Sequence, residues 1–99
     1  MIHIIWEFRV KPEKAAEFER TYSSSGTWAN FFRHGEGYHG TVLVRDAEHH
    51  GRYLTFDLWD NLAAYHGFKS TFSEEYFRID RECEALTEKE TSLGIFEVV

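Results

Sequence analysis

Apolar and polar residues alternate with period two from Ile2 to Val10, so that Ile2, Ile4, Trp6, Phe8 and Val10 share one side and His3, Ile5, Glu7 and Arg9 the other. That pattern predicts a strand with one fully apolar face. Pro12 suits the first turn of a helix, where its missing N–H costs little, and Ala15, Phe18 and Tyr22 follow at helical spacing. Ser23-Ser24-Ser25-Gly26 interrupts the spacing, and Thr27 is placed to cap a second helical piece that presents Trp28, Phe31 and Phe32. The prediction is one helix broken by a serine-rich kink. Gly35, Gly37 and Gly40 then lead into a second strand, about Tyr38 to Arg45, and Asp46 to Gly51 forms a hairpin loop into a third.

The third strand runs directly into a helix. Tyr53, Thr55, Asp57 and Trp59 alternate with Leu54, Phe56 and Leu58, after which Asp60 or Asn61 can accept from the free N–H groups of a first helical turn. That helix extends to about Ser70. A further helix follows, with Phe72, Tyr76, Ile79, Cys83 and Leu86 recurring at spacings of three and four. Lys89 to Val99 closes the chain as a strand in which Gly94 marks a bulge or a close contact. The order β-α-β-β-α-β predicts an α+β, ferredoxin-like fold: a four-stranded antiparallel sheet with both helical segments on one face. The bare face is expected to combine His3, Ile5, Glu7 and Arg9 with Tyr53, Thr55, Asp57 and Trp59. A large aromatic and an isoleucine on a solvated sheet would waste apolar area, so a two-fold partner packing sheet against sheet is expected.

Ninety-nine residues suit a single domain over 1–99. A load of 17% aromatic residues is easier to bury when two copies share an interface, which again favours a homodimer. The formal net charge of −6 repels phosphate backbones and anionic lipid and argues against nucleic-acid or membrane partners. Cys83 is the only cysteine and cannot form an internal disulfide. No leader-like pattern opens the chain and no apolar run reaches the roughly 18 residues of a membrane span, so a cytoplasmic location is expected. Phosphate loops, dinucleotide fingerprints, zinc-type cysteine pairs and serine elbows are missing from the sequence, and neither a metal nor a nucleotide cofactor is expected.

Candidate chemistry is sparse. His34, Glu36 and His39 have the side-chain types of a two-histidine, one-carboxylate metal site, but glycines leave their separation undefined and a loop role is favoured. His49 and His50 fall at a hairpin tip and read as solvated turn residues. His66 can serve as acid or base at neutral pH. Asn30 and Tyr65 can donate hydrogen bonds to an oxyanion developing on a phenolic substrate. Together His66, Asn30 and Tyr65 form the candidate catalytic set. Trp6, Phe8, Trp28, Phe68 and Phe72 are the candidate wall of an apolar ligand pocket, drawn from an aromatic set that also includes Phe31, Phe32 and Tyr76. Asp57 and Glu7 are expected to pair with Arg9 or Arg52, and Cys83 to be a packed thiol.

The passage Trp59-Asp60-Asn61-x-x-Ala64-Tyr65-His66 after a strand, the entry Glu36-Gly37-Tyr38-x-Gly40, and the chain length together resemble the antibiotic biosynthesis monooxygenase family of small dimeric α/β barrels. The resemblance implies a homodimer whose two sheets form a barrel, with a pocket between sheet and helices in each subunit. The family it resembles includes cofactor-free, quinone-forming oxygenases, haem-degrading oxygenases and many proteins with no assigned reaction. The haem-degrading branch carries an asparagine on the first strand, then a tryptophan and a haem-ligating histidine in the second helical region. Trp6, Phe68 and Arg78 stand at those places here, and a permanently charged guanidinium cannot ligate iron as an imidazole does. The reading is therefore a monooxygenase-like protein acting on a small aromatic or polyketide-like compound, with a non-catalytic small-molecule binding or sensing dimer as the alternative.

Overall fold

Strand β1 (Ile2–Val10) lies inside the sheet, paired antiparallel to β3 (Arg52–Trp59) on one side and β4 (Thr87–Glu97) on the other. Strand β2 (Tyr38–Arg45) adds outside β3, giving the order β2-β3-β1-β4 with every pair antiparallel. Helices α1 (Ala15–Tyr22) and α2 (Thr27–Phe32) connect β1 to β2, and α3 (Leu62–Thr71) and α4 (Ser73–Cys83) connect β3 to β4. This is the expected ferredoxin-like α+β arrangement. The computed structural model describes all residues, 1–99, and no helix in it is long and apolar enough to cross a membrane.

Local chemistry explains most boundaries. Pro12 opens a short 3-10 turn that feeds α1, and Ser23 in an extended conformation ends it. The N-cap of α2 is Gly26, and Thr27, expected to cap, is its first helical residue. A Cβ on residue 26 would lie 2.4 Å from the carbonyl oxygen of Arg20, so the kink closes only around a bare backbone. Asn61 caps α3 by accepting from the Ala64 N–H at 2.9 Å, which leaves Asp60 free to bond to His39. In the hairpin loop, Asp46 accepts from the backbone N–H groups of Glu48 and His49. Gly94, at φ +125°, sits at a break in β4 register where Leu93 is left without a partner on β1.

The register corrects the expected faces of the sheet. Ile2 pairs with Trp59, Ile4 with Asp57, Trp6 with Thr55 and Phe8 with Tyr53. Directly paired residues point to the same side of a sheet. Tyr53, Thr55, Asp57 and Trp59 therefore lie under the helices beside the apolar side of β1, not on the bare face. The bare face instead carries His3, Ile5, Glu7 and Arg9 with Leu54, Phe56 and Leu58 from β3 and Val42 and Val44 from β2. The ion pair there is Glu7 with Arg52, at 2.7 Å, and Arg52 also meets Asp46 at 3.0 Å. Asp57, expected in such a network, takes no part in it.

The covered side holds the core. Trp59 is fully buried, with the rings of Phe32, Tyr38, Tyr65 and Phe68 around it at centroid distances of 5.3–5.7 Å. A second group joins Phe8, Phe18, Tyr22 and Tyr53. Gly35 lies so close to the first group that an added Cβ would sit 2.7 Å from Phe68 and 2.9 Å from Trp59. Neither ring can move away. Gly35→Ala is expected to cost about 1–3 kcal/mol. Gly67→Ala, inside α3 with nothing within 4 Å, is expected to gain up to about 1 kcal/mol. Urea midpoints of the two variants should move in opposite directions.

One carboxyl group is packed into this covered side. Asp57 is 8% exposed, and its Oδ1 accepts from the Thr41 hydroxyl at 2.6 Å. Burial pushes its pKa from 3.8 up to about 6, against a smaller opposing effect of the Thr41 hydrogen bond. A group whose folded pKa is raised lends its full stability below the unfolded pKa and loses it as the pH rises through the folded one. Keeping Asp57 ionised above pH 6 thus costs about 3 kcal/mol, at about 1.4 kcal/mol per pH unit. Asp57→Asn should stabilise the protein by up to that amount at pH 8 and by almost nothing below pH 4. A denaturation series across pH 4–8 checks it, and a gain that does not vary with pH would contradict it.

Candidate active site

Asp57 lies on the wall of a chamber of about 210 Å³ between the sheet and the helices. The sheet supplies Trp6 and Phe8 from β1, Thr41 from β2, Thr55 with Asp57 from β3, and Glu90 from β4. These positions share the helix-facing side because Thr55 pairs with Trp6, Thr41 with Asp57 and Glu90 with Phe8. The helices supply Tyr22, Trp28 and Phe32 from α1 and α2, and Tyr65, Lys69, Tyr76 and Asp80 from α3 and α4. Large rigid rings hold the space open, since aromatic faces cannot collapse into it without leaving their own packing partners.

The polar groups are few and specifically placed. Thr41 donates to Asp57 and meets the Tyr38 hydroxyl at 2.6 Å, so a chain of hydrogen bonds runs from half-buried Tyr38 through Thr41 to Asp57. The arrangement fixes the carboxyl and leaves its second oxygen without a hydrogen-bond partner. Burial raises the pKa values of the Tyr65 and Tyr76 phenols, which keeps both protonated and able to donate at neutral pH. The Lys69 ammonium lies over their rings, 5.3 Å from the Tyr65 centroid and 4.6 Å from that of Tyr76. Desolvation, followed by the negative charges of Asp80 and Glu84, pushes the Glu90 carboxyl up at the rim. Chemically, the chamber offers a base poised near neutrality, two phenolic donors and flat apolar walls.

The residues expected at a site are distributed unevenly. Trp6, Phe8, Trp28 and Tyr65 lie on the chamber wall. Phe68 is buried behind it against Trp59, Phe31 and Phe32, and Phe72 packs on Phe31 and Phe68. Neither lines the space. His66 is exposed on α3, its ring 6.0 Å from that of Tyr65. Asn30 is exposed as well, donating to the Ser25 carbonyl and accepting from Arg33. His34, Glu36 and His39 are exposed, and no three His, Cys, Asp or Glu side chains converge on one point. His49 contacts Asp46 at 3.2 Å. Arg78, at the haem-ligand place, is exposed and pairs with Glu75 and Glu82 outside the chamber. Cys83 is buried, and that burial raises its thiol pKa. The wall residues that sequence reasoning did not single out for the site are Tyr22, Thr41, Thr55, Asp57, Lys69, Asp80 and Glu90; for Asp57 the available signal was a lone acid on a strand face otherwise made of Tyr53, Thr55 and Trp59.

The model of the antibiotic biosynthesis monooxygenase family matches residues 1–78. No curated protein matches the chain. Among solved structures, a single-site variant of SnoaB, a cofactor-independent oxygenase from Streptomyces nogalater, superposes with a TM-score of 0.74 at 19% identity, covering 98% of this chain and 91% of that one. A protein provisionally assigned as an antibiotic biosynthesis monooxygenase from Deinococcus radiodurans gives 0.77 at 18% identity, covering 100% and 93%. A conserved protein from Methanosarcina mazei gives 0.73 at 18%, covering 99% and 92%. At such identities the superpositions establish the shared fold, and the family model extends over most of the chain. On that match, this chain belongs to the antibiotic biosynthesis monooxygenase family.

Proposed function

We propose that the chamber is the active site of a small monooxygenase that oxidises a small aromatic or polyketide-like compound without a metal or nucleotide cofactor. The whole chain, 1–99, is read as one domain of this kind. The observation that carries the reading is Asp57: a buried carboxylate, raised to about 6, on the wall of an aromatic chamber. A base is most effective when its pKa lies near the working pH. Family membership supplies the reaction class.

The chemistry follows from an electron-rich ring. Asp57 takes the proton of a ring hydroxyl, and the phenolate places carbanion character on the para carbon. One electron passes to dioxygen, and the resulting superoxide couples to that carbon. The peroxide recovers the proton from Asp57; loss of water, with the para hydrogen, leaves a quinone. One dioxygen is consumed, one of its atoms enters the product and the other leaves in water. Tyr65 and Tyr76 are the donors for the oxyanion. A cavity of about 150 Å³ accepts a single benzene ring. The 210 Å³ here suits a substituted ring or two fused rings.

Each protomer is further proposed to pair with a second copy through the bare face of the sheet. Val42 is 56% exposed and Phe96 50%, and Leu54, Phe56 and Leu58 lie between the two edges. An apolar sheet of this kind is covered in a stable protein. The two-fold copy presents the same residues back to it.

Oxygen uptake with 1,5-dihydroxynaphthalene should exceed the protein-free rate at least tenfold. Asp57→Asn should lower the gain about 100-fold or more. Tyr65→Phe should lower it less. Saturable quenching of tryptophan fluorescence without oxygen uptake would replace this reading with the binding or sensing module. In sedimentation at micromolar concentration the protein should run at twice the chain mass, and Phe56→Glu should return it to the monomer; a wild-type monomer would remove the dimer.

A further inference from the structure

Three carboxylates line the chamber, Asp57, Asp80 and Glu90, against one ammonium, Lys69. None of the three acids takes part in an ion pair, since the eight pairs of the protein lie elsewhere. Lys69 forms no ion pair with them; its ammonium rests on the faces of Tyr65 and Tyr76. The acids grade from buried Asp57 through half-buried Asp80 to exposed Glu90, so the negative charge runs from the floor of the chamber to its mouth. Desolvation first, and then the like charges of Asp80 and Glu84, raise the proton affinity of Glu90.

We infer that the chamber selects aromatic ligands bearing an alkylammonium group over their neutral and carboxylated counterparts. The inference rests on the reading of the chamber as the ligand site of the proposed monooxygenase, and it names the ligand class. Three features converge on it. The uncompensated acids at the rim attract a cation, and their partial desolvation strengthens that attraction. The walls are built from Trp6, Trp28, Tyr22 and Tyr76, whose ring faces are attractive to cations. Lys69 shows the principle within the chain, an ammonium held over the rings of Tyr65 and Tyr76 without a carboxylate partner. Asp57 differs from the other two in being 92% buried by complement of its 8% exposure, with Oδ1 held by Thr41 and Oδ2 left without a hydrogen bond. A ligand ring seated on Trp6 and Phe8 would present its reacting edge to that oxygen while its ammonium reaches Asp80 and Glu90.

The test uses three probes of one skeleton: 2-(1-naphthyl)ethylamine, 2-(1-naphthyl)ethanol and 1-naphthylacetate. Titration calorimetry at pH 7.5 and low salt should give the amine a Kd at least tenfold below the alcohol and at least 100-fold below the carboxylate. Half-molar salt should narrow both ratios. In the double variant Asp80→Asn/Glu90→Gln the amine should fall to within threefold of the alcohol, while the alcohol binds as in the wild type and so reports an intact chamber. Equal or tighter binding of the carboxylate would overturn the inference and give the selection to Lys69. Survival of the amine preference in the double variant would overturn it in favour of the general field of the −6 chain. Binding of none of the probes would also overturn it. Oxygen uptake by dihydroxynaphthalene with no amine preference sinks this inference alone, whereas amine-selective binding without uptake sinks the oxygenase reading and leaves the ligand class standing.

Discussion

The constraint on which the rest depends is a carboxyl group placed beneath the helices of a sheet that is covered on one side only. Asp57 must lie there because β3 pairs with β1 in a register that sets it beside Ile4, and Ile4 faces the helices. Its hydrogen-bond donor is Thr41 on the neighbouring strand, which is in turn held by Tyr38. Burial of this kind costs stability wherever the pH is high enough to ionise the carboxyl group. A fold built only for packing would place a leucine or valine there. The cost is offset by the aromatic core around Trp59 and Phe18, where interlocked rings leave both side chains without exposed surface.

The same packing makes the chamber. Rings from the helices pack on one another and, at either side of the chamber, on Phe8 and Trp59 of the sheet, and the space left between them is walled by Trp6, Trp28 and Tyr65 together with Asp57. Structure and chemistry are thus coupled: the rings that stabilise the roof also exclude water from the carboxyl group, and that exclusion moves its titration toward neutrality. The bare face completes the picture. Its apolar strip along β2 and β3 lies on the side of the sheet away from the chamber, so the proposed association and the proposed ligand binding would use opposite sides of one sheet.

Much of this was legible in the chain. Alternation from Ile2 to Val10 and the turn glycines around Tyr38 located β1 and β2 at the observed bounds, because side-chain period is a local property. The pairing of faces was not legible. Period two states which residues of β3 share a side, yet which side meets the helices is set by cross-strand register, a contact between residues about fifty positions apart. That is why Asp57 and Trp59 were expected on the wrong face and why Asp57 was assigned to an ion network. Site chemistry suffered similarly. His66 and Asn30 were singled out by the reactivity of their side chains, whereas α3 turns Tyr65 into the core and leaves His66 exposed one residue on. Trp6, Phe8 and Trp28, expected on a pocket wall, do line the chamber, because bulky aromatics on apolar faces point inward wherever the faces lie; Tyr65, expected as a hydrogen-bond donor, lines it as well.

The direct measurement is the titration of Asp57 itself, followed through carboxyl carbon chemical shifts in protein labelled at aspartate and assigned by the missing resonance of Asp57→Asn. The account predicts one aspartate with a midpoint near 6, well above the ordinary 3.8. A midpoint for Asp57 at or below 4 would mean that the chamber floor is solvated, and would contradict the claim that this fold holds a poised base among its aromatic rings.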